Sequence, residues 1–173
     1  MKENGIMSVI SITALGQDSH RFVPETEAAT GKPLLLGGIE ICGAPGLAGN
    51  SDADVVLHAL CNAISGLSAQ PILGKRADEL CRSGIADSKV YVREALDTLS
   101  DIRLLHLSFS IEAGRPYLSD SIADMREAIA ALVGLPPASV AITATSGENL
   151  TPFGRGEGIQ CFCLASAEKT LTD

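Results

Sequence analysis

The hydrophobic period changes several times along this chain, and the changes set what it can fold into. Over residues 52–67 the apolar positions Val55, Val56, Ala59, Leu60, Ala63 and Ile64 recur with helical spacing. Ser51, with Asp54 three residues later, resembles a capping pair and predicts that this helix begins near Ser51. Residues 7–15 are instead rich in β-branched side chains and run into Gly16, so they read as a buried strand that ends there. Residues 34–41 read as a second strand, with a mostly polar loop over 17–33 between the two. Residues 66–87 carry Pro71, Gly74 and Gly84 and show no period, which predicts a long connection of the kind that serves as a functional loop. Two further helices are predicted over 88–99 and 119–133, the second stopped by Gly134 and the Pro136-Pro137 pair. Residues 102–111, 139–145 and 158–166 read as strands. The sum is an α/β (α+β) chain, a sheet with helices packed on one face.

The 173 residues suffice for one domain, expected to span 1–173 with flexible ends at 1–6 and 168–173. With 46% hydrophobic and 20% charged residues the chain has the balance of a globular protein. A net charge of −8, no Trp, two Tyr and four Phe exclude the basic stripe and stacking aromatics of a nucleic-acid binder. An anionic ligand would therefore have to be drawn by a metal ion, a few basic side chains or backbone amides. No window approaches the roughly 20 apolar residues that span a bilayer. The leader Met1-Lys2-Glu3-Asn4-Gly5 has no net positive side-chain charge, and no small-residue cleavage site follows it, so the chain reads as cytoplasmic; a plastid-type form stripped of its transit peptide would read the same. The five cysteines, with no C-x-x-C pair, read as buried reduced thiols.

Chemistry concentrates on the three histidines. Asp18 and His20 lie two positions apart, and in extended backbone their side chains share a side. His58 falls midway along the first predicted helix, one turn after Asp54, on the side its apolar positions leave polar. Two imidazoles and a carboxylate suit zinc and leave a fourth tetrahedral position open. A surface Asp-x-His pair and a satisfied core histidine fit the same spacing. His106, within Leu104-Leu105-His106-Leu107, reads as a strand histidine without a chemical role. Gly154-Arg155-Gly156-Glu157-Gly158, preceded by Thr145-Ser146-Gly147-Glu148, offers a backbone that a ligand can approach and an Arg able to grip phosphate by two parallel bonds. Taken alone, the motif reads rather as a glycine-rich turn with a buried Arg–Glu ion pair.

Taken in order, these pieces resemble the 2-C-methyl-D-erythritol 2,4-cyclodiphosphate synthase family of the non-mevalonate isoprenoid pathway. The matching segments are Gly16-Gln17-Asp18-Ser19-His20-Arg21-Phe22, Leu36-Gly37-Gly38, Ser51-Asp52-Ala53-Asp54 with Leu57-His58-Ala59-Leu60, Gly74-Lys75, and Phe153-Gly154-Arg155-Gly156-Glu157-Gly158. The resemblance implies a homotrimer around a central cavity, with active sites between subunits. It implies zinc on Asp18, His20 and His58, one ion per subunit, and a magnesium or manganese ion held with the substrate by Glu148. The implied reaction is cyclisation of 4-diphosphocytidyl-2-C-methyl-D-erythritol 2-phosphate with release of CMP. Asn50 and Ser146 occupy the catalytic positions, Asn50 where the family has histidine and Ser146 where it has threonine. The backbone amides near Asn50-Ser51, read as a helix N-terminus, would receive a phosphate. Ser51, Gly74, Ala113, Arg115, Pro116, Tyr117, Leu118, Thr145 and Arg155 fall at substrate-binding positions, with Arg115 as a replacement cation for the family's lysine, which reads Tyr117 here. Arg155 and Glu157 match the pair at the end of the axial cavity. The family's Gly-Asp-Ile-Gly reads Gln70-Pro71-Ile72-Leu73-Gly74, losing a carboxylate, and its next loop has no counterpart over 76–84. A non-catalytic trimeric zinc-binding relative that takes a nucleotide or isoprenoid diphosphate, or a zinc phosphoesterase, remains the alternative.

Overall fold

A computed structural model describes residues 8–24 and 31–171. Strands β1 (Ser8–Arg21), β6 (Gly158–Leu171), β4 (Ile102–Glu112) and β5 (Val140–Thr145) form one sheet in the order β1-β6-β4-β5. β6 runs antiparallel to both neighbours, and β4 pairs with β5 in parallel. Helices α1 (Val55–Ser68), α3 (Ser88–Leu96) and α4 (Ile122–Val133) lie with the core, α1 directly on β1 and β6 and α4 on β5. Alternation along β6 buries Ile159, Cys161, Cys163, Ala165 and Ala167 beneath α1 and leaves Phe162 and Leu164 on the opposite face. The expectation of a sheet with its helices on one face agrees with this arrangement.

Several boundaries differ from the sequence reading, and each difference bears on the site. β1 does not stop at Gly16 but continues to Arg21, because β6 supplies a partner for every residue, Asp18 opposite Cys161 and His20 opposite Ile159. Gly16 marks a close approach: a Cβ there would collide with the Ala59 carbonyl and the Ala63 amide of α1. Residues 34–41 are a hairpin, β2 (Leu34–Leu36) and β3 (Ile39–Ile41), turned at Gly37 and Gly38 with φ of 62° and 83°. The N-cap of α1 is Asp54, whose carboxylate accepts from Val56 and Leu57, so this helix starts later than Ser51. The same carboxylate accepts from the Gly37 amide at 2.9 Å and the Gly38 amide at 2.7 Å, locking the hairpin turn to the helix end. Those helix-end amides are thereby occupied, and Asn50-Ser51 is a loop rather than the helix N-terminus expected for a phosphate.

His58, Asn62 and Ser65 form a narrow polar stripe along α1, of which Asn62 and Ser65 stay partly exposed while His58 is covered. Leu57, Leu60, Ala63 and Ile64 are buried along with His58, since α3 and the β2–β3 hairpin cover what the sheet does not. Each large apolar side chain buried this way contributes roughly 1.5–3 kcal/mol. The expected long connection holds a helix, α2 (Lys75–Arg82), with Ala77 and Leu80 buried. The sheet also claims the C-terminal end: residues 168–171, expected to be flexible, belong to β6. The expected flexible end at 1–6, like residues 172–173, lies outside the described residues. Burial pushes the Cys61 thiol up to about 12 and raises Cys161 and Cys163 as well, so these side chains are held as neutral thiols. Among the described residues no helix is long and apolar enough to cross a membrane.

Candidate metal centre

The extension of β1 past Gly16 is what carries Asp18 and His20 to the end of α1. Asn62 of α1 fixes that approach by donating from Nδ2 to the Gln17 carbonyl at 3.1 Å. Two residues apart on one strand, Asp18 and His20 face the helix layer, and α1 brings His58 to meet them. The Asp18 Oδ2 atom lies 2.8 Å from His58 Nδ1 and 3.0 Å from His20 Nε2. The two imidazole nitrogens are 3.2 Å apart, and the ligand atoms of all three residues lie within 4.8 Å of one another. Among the described residues no other group of three His, Cys, Asp or Glu side chains converges in this way.

Burial works to raise the Asp18 carboxyl, but the imidazoles of His20 and His58 beside it, polar and able to carry positive charge, outweigh it and hold the group well below the usual carboxylate range. The site is thus built for a carboxylate anion beside two imidazoles. That donor set, two nitrogens and one oxygen converging on one point, fits a borderline divalent cation such as zinc.

Behind the ligands is a polar layer the sequence reading missed. His58 Nε2 lies 2.9 Å from Ser88 Oγ and 3.3 Å from Ser51 Oγ. Ser88, fully buried at the start of α3, donates both its amide and its hydroxyl to Asp52. Asp52 stood inside a matching motif without a role, and Ser88 read only as a helix start. Tyr91 was also missed: its ring packs near His58, and its hydroxyl donates to the Ile85 carbonyl at 2.8 Å. Because α2 went unread, so did its contribution to the site wall.

A depression of about 280 Å³ opens over the three ligands, and Asn50, Ser51 and Gly74 line it, joined by Ala77, Asp78 and Cys81 of α2. A second depression, of about 410 Å³, is lined by Ala113, Arg115, Pro116, Tyr117 and Leu118 together with Thr145 and Ser146. The two share no residue, so one chain does not unite the expected substrate contacts in a single pocket. Arg115 lines the second depression, and its Nε donates to the Gly156 carbonyl at 3.1 Å while its guanidinium sits 4.9 Å over the Phe22 ring. Tyr117 is 81% exposed there. Glu148 is not with the three ligands; it is exposed, with φ of 48°, and accepts from Ser146 Oγ at 3.2 Å. Arg155 and Glu157 pair at 2.9 Å on the surface, not as a buried ion pair. His106 is exposed on β4 opposite Ser166, away from the site.

Comparison with known proteins agrees with this geometry. A protein of Chlamydia muridarum named 2-C-methyl-D-erythritol 2,4-cyclodiphosphate synthase is 50% identical over 152 residues, which make up 87% of this chain and 84% of that protein. A solved structure of a 2C-methyl-D-erythritol-2,4-cyclodiphosphate synthase in a CDP-bound form superposes with a TM-score of 0.76 at 25% identity, covering 90% of this chain and 99% of that one. The bifunctional IspDF of Campylobacter jejuni superposes with a TM-score of 0.83 at 28% identity over 94% of this chain, which spans 43% of the length of that protein. The model of the YgbB family matches residues 12–168, and with relatives of this identity and coverage the chain belongs to the YgbB family, that of the 2-C-methyl-D-erythritol 2,4-cyclodiphosphate synthases.

Proposed function

We propose that this chain is a cyclodiphosphate synthase, a lyase of isoprenoid biosynthesis that converts 4-diphosphocytidyl-2-C-methyl-D-erythritol 2-phosphate to the 2,4-cyclodiphosphate and CMP. The observation that carries the reading is the convergence of Asp18, His20 and His58 in a chain of this family. An oxygen of the 2-phosphate attacks the β-phosphorus, the bond from that phosphorus to the oxygen bridging to CMP breaks, and CMP departs with the electron pair. Two anionic groups must meet for this, and one pair of unit charges about 4 Å apart repels by roughly 4 kcal/mol at an effective dielectric near 20. A zinc ion on Asp18, His20 and His58, with magnesium or manganese on Glu148, would supply the positive charge that offsets this repulsion and polarises the phosphoryl oxygens.

The chain's own groups do the rest by positioning. Asn50 and Ser51 border the metal depression and offer donors to a phosphate there without carrying charge. Thr145 and Ser146 edge the second depression, where the nucleotide end would lie, beside Ala113, Arg115, Pro116, Tyr117 and Leu118. That the two depressions are separate on one chain supports active sites completed between neighbouring subunits. The uncovered sheet face supports the same homotrimer: Leu15, Phe162 and Leu164 are 63%, 39% and 42% exposed on it, an apolar patch in need of a partner. In that assembly Arg155 and Glu157 would face the axial cavity. Cytoplasmic placement completes the reading, with neither nucleic acid nor membrane as a partner.

The test is to incubate purified protein with this substrate and magnesium and to follow CMP release by phosphorus NMR. Release that exceeds a chelator-treated control supports the synthase. Metal retention without CMP release would support the non-catalytic relative, to which Asn50 and the altered 70–84 segment would then be assigned.

A further inference from the structure

The hydrogen bonds behind His58 leave little freedom in where its proton sits. Ser88 Oγ has a single proton, and its contact to Asp52 Oδ1 is the shortest it makes. A carboxylate only accepts, so the hydroxyl proton is spent there. The Ser88 amide donates to the other oxygen, Oδ2, at 2.9 Å, and the Asp52 amide donates to the Ala86 carbonyl at 2.9 Å. Carboxylate and hydroxyl are thus pinned from both sides. The 2.9 Å contact between Ser88 Oγ and His58 Nε2 then makes sense only if the ring donates and the hydroxyl accepts. Ser51 Oγ, 3.3 Å from the same nitrogen, accepts from the Ala53 amide at 3.0 Å and keeps a lone pair for a shared bond from the ring, so it does not force the opposite arrangement. The Tyr91 hydroxyl is committed to Ile85 and Cys81 and does not compete. Ser88 is fully buried, which leaves no water to take its place.

We infer that Asp52 and Ser88 hold the His58 proton on Nε2 and thereby turn a bare Nδ1 toward Asp18 and His20, which makes them positioning residues for the cation site. The inference rests on the reading of that site as a metal centre. With Nδ1 unprotonated, its lone pair faces the Asp18 carboxylate oxygen at 2.8 Å, with His20 Nε2 3.2 Å away, an arrangement that a cation satisfies. Partners of this kind fix ring orientation and tautomer, and their removal typically lowers metal affinity by about 10- to 100-fold.

Two measurements test it. Long-range proton–nitrogen NMR of the zinc-free protein at about pH 8, where imidazole is ordinarily neutral, should show His58 protonated on Nε2. A dominant Nδ1–H form would overturn the inference and needs no variant that folds. Zinc competition against a chelator should show Ser88→Ala weaker than the parent by about 10- to 100-fold, with circular dichroism unchanged, while Ser88→Thr, which keeps the hydroxyl, regains most of the loss. Affinity of the alanine variant within about twofold of the parent would refute the positioning role. A parent protein that holds no zinc would refute the metal centre itself, a separate outcome from the tautomer measurement.

Discussion

Asp18 and His58 are forty residues apart in the chain, yet Oδ2 of one lies 2.8 Å from Nδ1 of the other. The contact exists because β1 and α1 press together at Gly16, where no side chain intervenes. Gly16→Ala should therefore destabilise the fold by roughly 3 kcal/mol or more, since backbone rather than a movable side chain stands where the methyl would go. Chemical denaturation followed by circular dichroism measures this. A loss below about 0.5 kcal/mol, the range of an ordinary surface change, would show that strand and helix separate easily.

The wall that α2 adds to the site is anchored by Arg76, which donates to both Glu94 carboxylate oxygens at 2.7 Å. Hydrogen bonding from Arg76 holds the Glu94 carboxyl below its ordinary range. A carboxylate with a lowered folded value stabilises the fold above its unfolded value and loses that contribution as pH falls through the folded one. Amide exchange in α2 should accordingly quicken, relative to α1, as pH falls from the ordinary glutamate range through the lower folded value of Glu94, and Glu94→Gln should give the quicker relative exchange already at neutral pH. Equal α2 protection in parent and variant at neutral pH would mean that the bidentate pair does not hold the helix.

Placing a charge on the uncovered sheet face should separate the subunits. Leu164→Glu puts a carboxylate where a partner's apolar surface is proposed to pack, and burying it unpaired is costly. Light scattering should report three chains for the parent and one for the variant. A parent that runs as a monomer would remove the shared-site model.

The local signals found most elements but not the contacts that give them their ends. Helix spacing at Val55, Val56, Ala59 and Leu60 was plain, whereas the true cap, Asp54, is recognised through its bonds to Gly37 and Gly38, seventeen and sixteen residues away. Gln17-Asp18-Ser19-His20 reads as loop because it is polar; its strand conformation comes from β6, which the local sequence does not display. The Gly37-Gly38 turn was a readable hairpin signal inside what looked like one strand. α2 is short and buries only Ala77 and Leu80, too few positions for a period. Asp18, His20 and His58 were legible by donor chemistry and motif order. Ser88 and Asp52 were not, because a serine at a helix start and an aspartate before a cap have ordinary structural uses, and only their mutual distance reveals the arrangement.

The central claim is that Asp18, His20 and His58 grip one cation, and elemental analysis of the parent beside His58→Ala tests it most directly. The account predicts about one zinc per chain in the parent and almost none in a folded variant, since two remaining donors make a weak site. Full zinc occupancy in His58→Ala, or a parent free of zinc after growth in zinc-supplemented medium, would contradict it.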